Sequence, residues 1–199
     1  MMNEDQLDVL QELMNIAMGQ AANKLARLVE AQVSLSIPKI HAIDMQYKNK
    51  NPTQLSDSRQ ITAITRQSFL GKLRGEVLVC FGTNGADEIA ELMGYSDNDE
   101  KANEELILDI TNILTGACIQ GLANQIEVTC SFNPPSLFST NTFFDEALTA
   151  DIFDGRQTLV MEINFTISSH SFCCDLLICI ANESVPTLLK AIDKLLSKY

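Results

Sequence analysis

The chain of 199 residues predicts an α/β protein of the α+β kind. It is built from two similar halves, with two long helices on one face of a largely antiparallel or mixed sheet. Three observations predict this. Each half opens with a long amphipathic helix and continues in strand-like runs. An acid, a second acid, an amide and a glycine recur with one spacing, as Asp8, Glu12, Asn15, Gly19 and as Glu105, Asp109, Asn112, Gly116. A proline then follows each amide at equal separation, Pro38 after Asn15 and Pro135 after Asn112. Shared order and spacing point to a single domain of two repeats, 1–98 and 99–199, packed about a pseudo-twofold axis.

The first helix spans Asn3 to Leu28. Asn3 is placed to cap it, Gln6 follows at capping-box distance, and Glu4 and Asp5 suit the first turn. Asp8, Glu12 and Asn15, at i, i+4 and i+7, share a stripe, and Leu10, Met14, Ala17, Ala21, Leu25 and Leu28 fall roughly opposite. Gly19 lies on the polar stripe. It leaves room either for another protein to approach or for close packing from within.

Val33 to Ile37 alternates as a strand does, Pro38 marks its end, edge or bend, and Lys39 to Ile43 continues. Tyr47 to Ser58 is a polar loop. Gln60 to Gln67 and Leu73 to Phe81 form a hairpin around Gly71, and Ala86 to Met93 a short helix ended by Gly94. After the acidic stretch Tyr95 to Glu100 the pattern restarts. A long helix covers Glu100 to Leu122, a strand Glu127 to Phe132, and a loop Phe138 to Gly155. A hairpin covers Gln157 to Ser168 and Phe172 to Ala181. The closing helix, Ser184 to Lys198, has Ser184 as cap and Pro186 in its first turn. Val77-Leu-Val-Cys80-Phe and Leu176-Leu-Ile-Cys179-Ile occupy matching places.

Composition narrows the function classes. A net charge of −12 argues against nucleic acid or an anionic membrane as partner, since both need a positive surface. The N-terminal residues lack the basic and apolar regions of a signal peptide, and no apolar run approaches a membrane span, so a cytoplasmic protein is expected. Six cysteines show no Cys-x-x-Cys pair, and His41 and His170 are far apart, so zinc spacing is absent. Cys80 and Cys179 sit in apolar runs and read as small buried hydrophobes.

The chemistry left is narrow. There is no Ser-His-Asp set, no metal cluster and no Gly-rich phosphate loop. Asparagine is no general base near neutral pH, but its amide can hold a water in line with an electrophile. A glutamate one turn earlier can pair with a partner's lysine. That combination suits hydrolysis of a bond already activated elsewhere, such as an acyl phosphate with its own Mg²⁺.

The pattern Asp/Ser-x3-Glu-x2-Asn-x22-Pro resembles the signature of the CheC/CheX/FliY phosphatases of bacterial chemotaxis. Asp8, Glu12, Asn15 and Pro38 match it in full. Glu105, Asp109, Asn112 and Pro135 match it with departures. The resemblance implies a CheC-like fold and a hydrolase of two-component signalling that dephosphorylates the phospho-aspartate of a CheY-type response regulator. It implies that Glu12 pairs with the regulator's lysine, that Asn15 orients the attacking water, and that Mg²⁺ belongs to the regulator, with no cofactor on this chain. A CheD-like deamidase is a further partner of such proteins. The duplicated layout is similar to CheC and points to a monomer.

In the second copy Asp109 stands for the family's glutamate and is shorter by one methylene, about 1.5 Å of reach. A misplacement of about 1 Å costs on the order of a hundredfold in a positioned reaction. The first site is therefore expected to be competent and the second weakened or idle. Two rival readings remain. One is a non-catalytic adaptor that binds the regulator or a CheD-like protein. The other is a flagellar-switch component of the FliM type, disfavoured by the Glu-x-x-Asn pair.

Overall fold

Asn3 starts the first helix, α1 (Glu4–Leu28), with a complete capping box. Its side chain accepts the Gln6 N–H at 2.8 Å, and the Gln6 side chain accepts the Asn3 N–H at 3.0 Å. From there Leu10, Met14, Ala17, Ala21 and Leu25 recur every three or four residues and are fully buried. The computed structural model describes residues 2–43, 60–82, 85–94, 100–143, 158–168 and 170–197.

The elements follow the expected order except for β6: β1 (Val33–Leu35), β2 (Lys39–Ile43), β3 (Gln60–Gly71), β4 (Gly75–Gly82), α2 (Gly85–Leu92), α3 (Glu100–Gln125), β5 (Cys130–Phe132), β6 (Ser136–Phe143), β7 (Thr158–Ile167), β8 (Cys173–Ala181) and α4 (Val185–Leu196). The eight strands among the described residues join one sheet in the order β1-β7-β8-β4-β3-β5, with β2 also on β7 and β6 also on β3. Every pairing is antiparallel.

Exchanging β1–β4 with β5–β8 maps this set of pairings onto itself. β1 pairs with β7 as β5 pairs with β3, and the central pair β4–β8 maps to itself about Leu78 and Leu177. The register follows the exchange too, with Leu35 opposite Phe165 and Phe132 opposite Phe69. β4 and β8 are buried along nearly their whole length. That is why Val77–Phe81 and Leu176–Ile180 read as unbroken apolar runs instead of alternating ones.

α1 and α3 pack together on one face. They run antiparallel, because Gln125 near the end of α3 donates to the Leu13 carbonyl at 2.9 Å, while Leu28 at the end of α1 lies beside Glu105 and Asp109 near the start of α3. α3 from Lys101 to Gln125 is long and apolar enough to span a membrane, which corrects the reading that no run approaches one. Ile110, Leu114, Cys118 and Leu122 instead join the core shared with α1 and the sheet.

Other expectations are corrected. Ser136–Phe143 forms strand β6, where a loop was expected from Phe138. Most of its described residues are exposed, so the pairing with β3 is the stabilising contact and no apolar alternation announces it. β5 is short because Glu127 has φ +57°, in the left-handed region, and breaks the expected strand from Glu127. Ser184 precedes α4, but its hydroxyl accepts the Arg74 N–H at 3.0 Å and does not cap the helix. The loop expected over Tyr47–Ser58, the stretch 95–99 and the remainder of the Phe138–Gly155 loop lie outside the described residues.

Candidate functional site

The first stripe is carried by the middle of α1. Asp8, Glu12 and Asn15 are exposed, and an added Cβ at Gly19 would meet nothing within 4 Å. The glycine therefore opens the stripe outward and does not admit packing from within. Pro38 is buried between β1 and β2, and its carbonyl accepts from Gln11 Nε2 at 3.0 Å. Gln11, the residue before Glu12, thus ties the helix to the bend that the proline makes. Two large apolar side chains also face solvent here, Ile16 at 46% exposure and Ile37 at 72%. Among the described residues the exposed Asn15 carboxamide has no hydrogen-bond partner.

The second stripe is built on α3. Glu105, Asp109 and Asn112 are exposed, and Gly116 again faces open space. Glu105, Asp109 and Asn112 line a cleft of about 210 Å³ with an apolar wall that includes Leu28, Met93, Leu106 and Ile113. Pro135 is half-buried after β5. Asn112 is anchored, in contrast to Asn15: its Oδ1 accepts from Gln67 Nε2 at 2.8 Å, and the same nitrogen donates to the Asn133 carbonyl at 2.9 Å.

The two helices also differ underneath. Thr111 and Thr115 take the places of Met14 and Met18 on α1. With Phe69 aligned to Phe165 by register, Thr65 and Gln67 take the places of Met161 and Ile163. All eight side chains are buried. Thr111 donates to the Ile107 carbonyl at 2.7 Å and its hydroxyl also meets that of Thr65. The apolar underside of α1 thus becomes a polar one under α3. Gln11 and Gln67 are the residues that sequence reasoning missed. Each is a lone amide with no motif around it, recognisable only once the fold brings it to a proline bend or to Asn112.

The buried thiols of Cys118 and Cys174 are withdrawn from competing chemistry. None of the six cysteines forms a disulfide. Burial pushes Cys118 up to about 12, and burial together with neighbouring Asp175 pushes Cys174 well above its usual value. Such groups stay protonated and are poor nucleophiles at neutral pH. His170 is exposed, with Nδ1 against the Ser168 carbonyl at 3.0 Å. Among the described residues no group of three His, Cys, Asp or Glu side chains is arranged to hold a metal.

The class defined by these features is an antiparallel α+β protein with two exposed acid–amide stripes on paired helices. The CheC-like family model matches residues 6–41, which contain Asp8, Glu12, Asn15 and Pro38. Among solved structures, Thermotoga maritima FliY is similar with a TM-score of 0.72 at 18% identity, covering 97% of this chain and 98% of that one. The chemotaxis protein CheX from Vibrio vulnificus gives 0.58 at 18% identity over 85% of this chain and 99% of that one. The FliM middle domain from H. pylori gives 0.61 at 10% identity over 96% and 99%. The match to the CheC-like family model is confined to the first helix-strand segment, and the fold is similar to those of CheX and FliY. FliM shares that fold as well, so the activity must be argued from the stripes and not from the architecture.

Proposed function

We propose that the protein is a phosphatase of a CheY-type response regulator, acting through Glu12 and Asn15. The observation that carries this reading is the Asn15 carboxamide, exposed and unengaged among the described residues, three positions after an exposed glutamate on a rigid helix. Glu12 pairs with an ammonium group beside the partner's phosphorylated aspartate and sets the register of docking. Asn15 accepts a hydrogen from a water and holds it in line with the phosphorus. The water oxygen bonds to phosphorus, the bond from phosphorus to the aspartyl oxygen breaks, and carboxylate and inorganic phosphate leave, the water's protons passing to phosphate and solvent. Mg²⁺ on the regulator neutralises the phosphoryl charge. The open face at Gly19 and the exposed Ile16 and Ile37 provide room and apolar contact for the partner. In this reading the chain works in the cytoplasm as a monomer, its halves 1–98 and 99–199 each presenting one stripe.

The test is phosphate release from a regulator labelled with acetyl phosphate, with and without this protein. Asn15→Ala abolishes the acceleration while binding survives. Glu12→Ala weakens both. Full activity of Asn15→Ala refutes the mechanism, and tight binding with no change in rate identifies an adaptor.

A further inference from the structure

Gln67 is 1% exposed and lies in β3 beneath α3. Its side-chain nitrogen is 2.9 Å from the Asn133 carbonyl oxygen. A backbone carbonyl can only accept, so the Gln67 atom facing it is the NH₂ group. The same nitrogen lies 2.8 Å from Asn112, which must answer with its own carbonyl oxygen. A backbone group thereby dictates, through one buried amide, which way an exposed asparagine points. Asn112 turns its oxygen inward and its NH₂ outward. The register counterpart of Gln67 is Ile163 of β7, fully buried and unable to donate, and Asn15 makes no such bond among the described residues.

Polarity decides what such an amide can do. A water about to attack phosphorus must keep a lone pair toward it and donate a hydrogen to whatever holds it. The holder must therefore be an acceptor. Asn15 can offer its oxygen. Asn112 offers N–H donors, which occupy the water's lone pair or grasp a phosphoryl oxygen directly.

We propose that Gln67 is a positioning residue that holds the second stripe in a binding, non-hydrolysing form. The stripe docks a phosphorylated regulator through Asp109 and the Asn112 NH₂ without cleaving it. This rests on the reading that Asn15 positions the water.

The test uses the full chain in an Asn15→Ala/Asp109→Glu background, which silences the first amide and lengthens the second acid. Adding Gln67→Ile, to match Ile163, releases Asn112. The expected result is a rise in kcat of at least tenfold over that background with KM unchanged, and Asn112→Ala in the same chain cancels the rise. Gln67→Met, an unbranched side chain of similar length, gives the same rise if isoleucine disturbs the strand. In parallel, ¹⁵N NMR of the otherwise native chain reads the Gln67 NH₂ signals directly; Asn112→Ala shifts them and speeds their exchange. Absence of the rise in both folded variants, or Gln67 signals that ignore Asn112→Ala, overturns the proposal. If the native chain does not speed phosphate release at all, the phosphatase reading fails separately, and the NMR shift alone decides whether Gln67 holds Asn112.

Discussion

Replacing Gly19 by alanine stabilises the protein, whereas the same change at Gly121 does not. Both glycines lie inside long helices, where glycine costs about 1 kcal/mol relative to alanine. At Gly19 the new methyl group meets nothing within 4 Å, so the gain is realised. At Gly121 it sits 2.9 Å from the Ala17 Cβ and 3.0 Å from the Ala17 Cα. That methyl is rooted in the facing backbone, so α1 and α3 must move apart. Overpacking of this kind costs about 1–3 kcal/mol, leaving a net loss between zero and about 2 kcal/mol. Urea denaturation reads the difference. With a slope of about 2 kcal/mol/M, Gly19→Ala raises the midpoint by about 0.5 M and Gly121→Ala leaves it level or lowers it. No rise for Gly19→Ala refutes the placement of the stripe on the open side of α1, and a rise for Gly121→Ala equal to that of Gly19→Ala refutes the close contact of α1 with α3. The functional extension is Gly19→Phe. It keeps the fold, because the side chain projects into solvent, and it lowers the rate of phosphate release by filling the approach beside Asn15; full activity of that variant shows that the partner does not come in across this face.

Gln11→Leu removes the donor to the buried Pro38 carbonyl and costs about 1–3 kcal/mol, seen as a lower urea midpoint. It also lowers kcat while leaving docking through Glu12 intact, which a kcat against KM comparison resolves. Alkaline pH lowers stability through the buried thiol of Cys118. Its value is raised from 9.0 to about 12 in the folded chain, so above pH 9 the unfolded state loses protons that the native state keeps. Unfolding free energy therefore falls as pH rises from 9 toward 12, with a slope of up to about 1.4 kcal/mol per pH unit for that thiol. Cys118→Ala flattens the curve by that amount in equilibrium unfolding between pH 9 and 11.

Much of this was readable beforehand because the relevant signals are local. Buried residues at three- and four-residue spacing announce α1 and α3. The unbroken runs in β4 and β8 announce central strands, since side chains on both faces of those strands are buried. β6 was unreadable because its residues Ser136 to Asn141 are largely exposed and polar; only the partner strand β3 makes it a strand, and that is a long-range pairing. The stripe residues were legible because i, i+4 and i+7 project together from any helix. Gln67 was not, because it stands 45 residues from Asn112 and its meaning depends on which strand lies under α3. Ser184 misled for the same reason: a residue in capping position found a better partner in Arg74, far away in sequence.

Around the two stripes the exposed residues are alike and the buried layer directly beneath them is not. Asp8, Glu12, Asn15 and Gly19 have counterparts of the same kind in Glu105, Asp109, Asn112 and Gly116, while Met14, Met18, Met161 and Ile163 face Thr111, Thr115, Thr65 and Gln67. Packing alone favours the reverse, since a core change of even one methylene is felt and an exposed residue is free to vary. The polar underside is also costly. Gln67 Oε1 and Thr115 Oγ1 are buried and have no partner among the described residues, and each such atom costs about 1–3 kcal/mol. Isoleucine and methionine at these positions would avoid that cost, as α1 and β7 demonstrate within the same chain. What the polar set supplies in return is control of Asn112, because a buried donor is the only kind of group that can draw an exposed amide's oxygen inward. The destabilised underside and the reoriented amide are one feature, and the second stripe differs from the first chiefly through the layer beneath it.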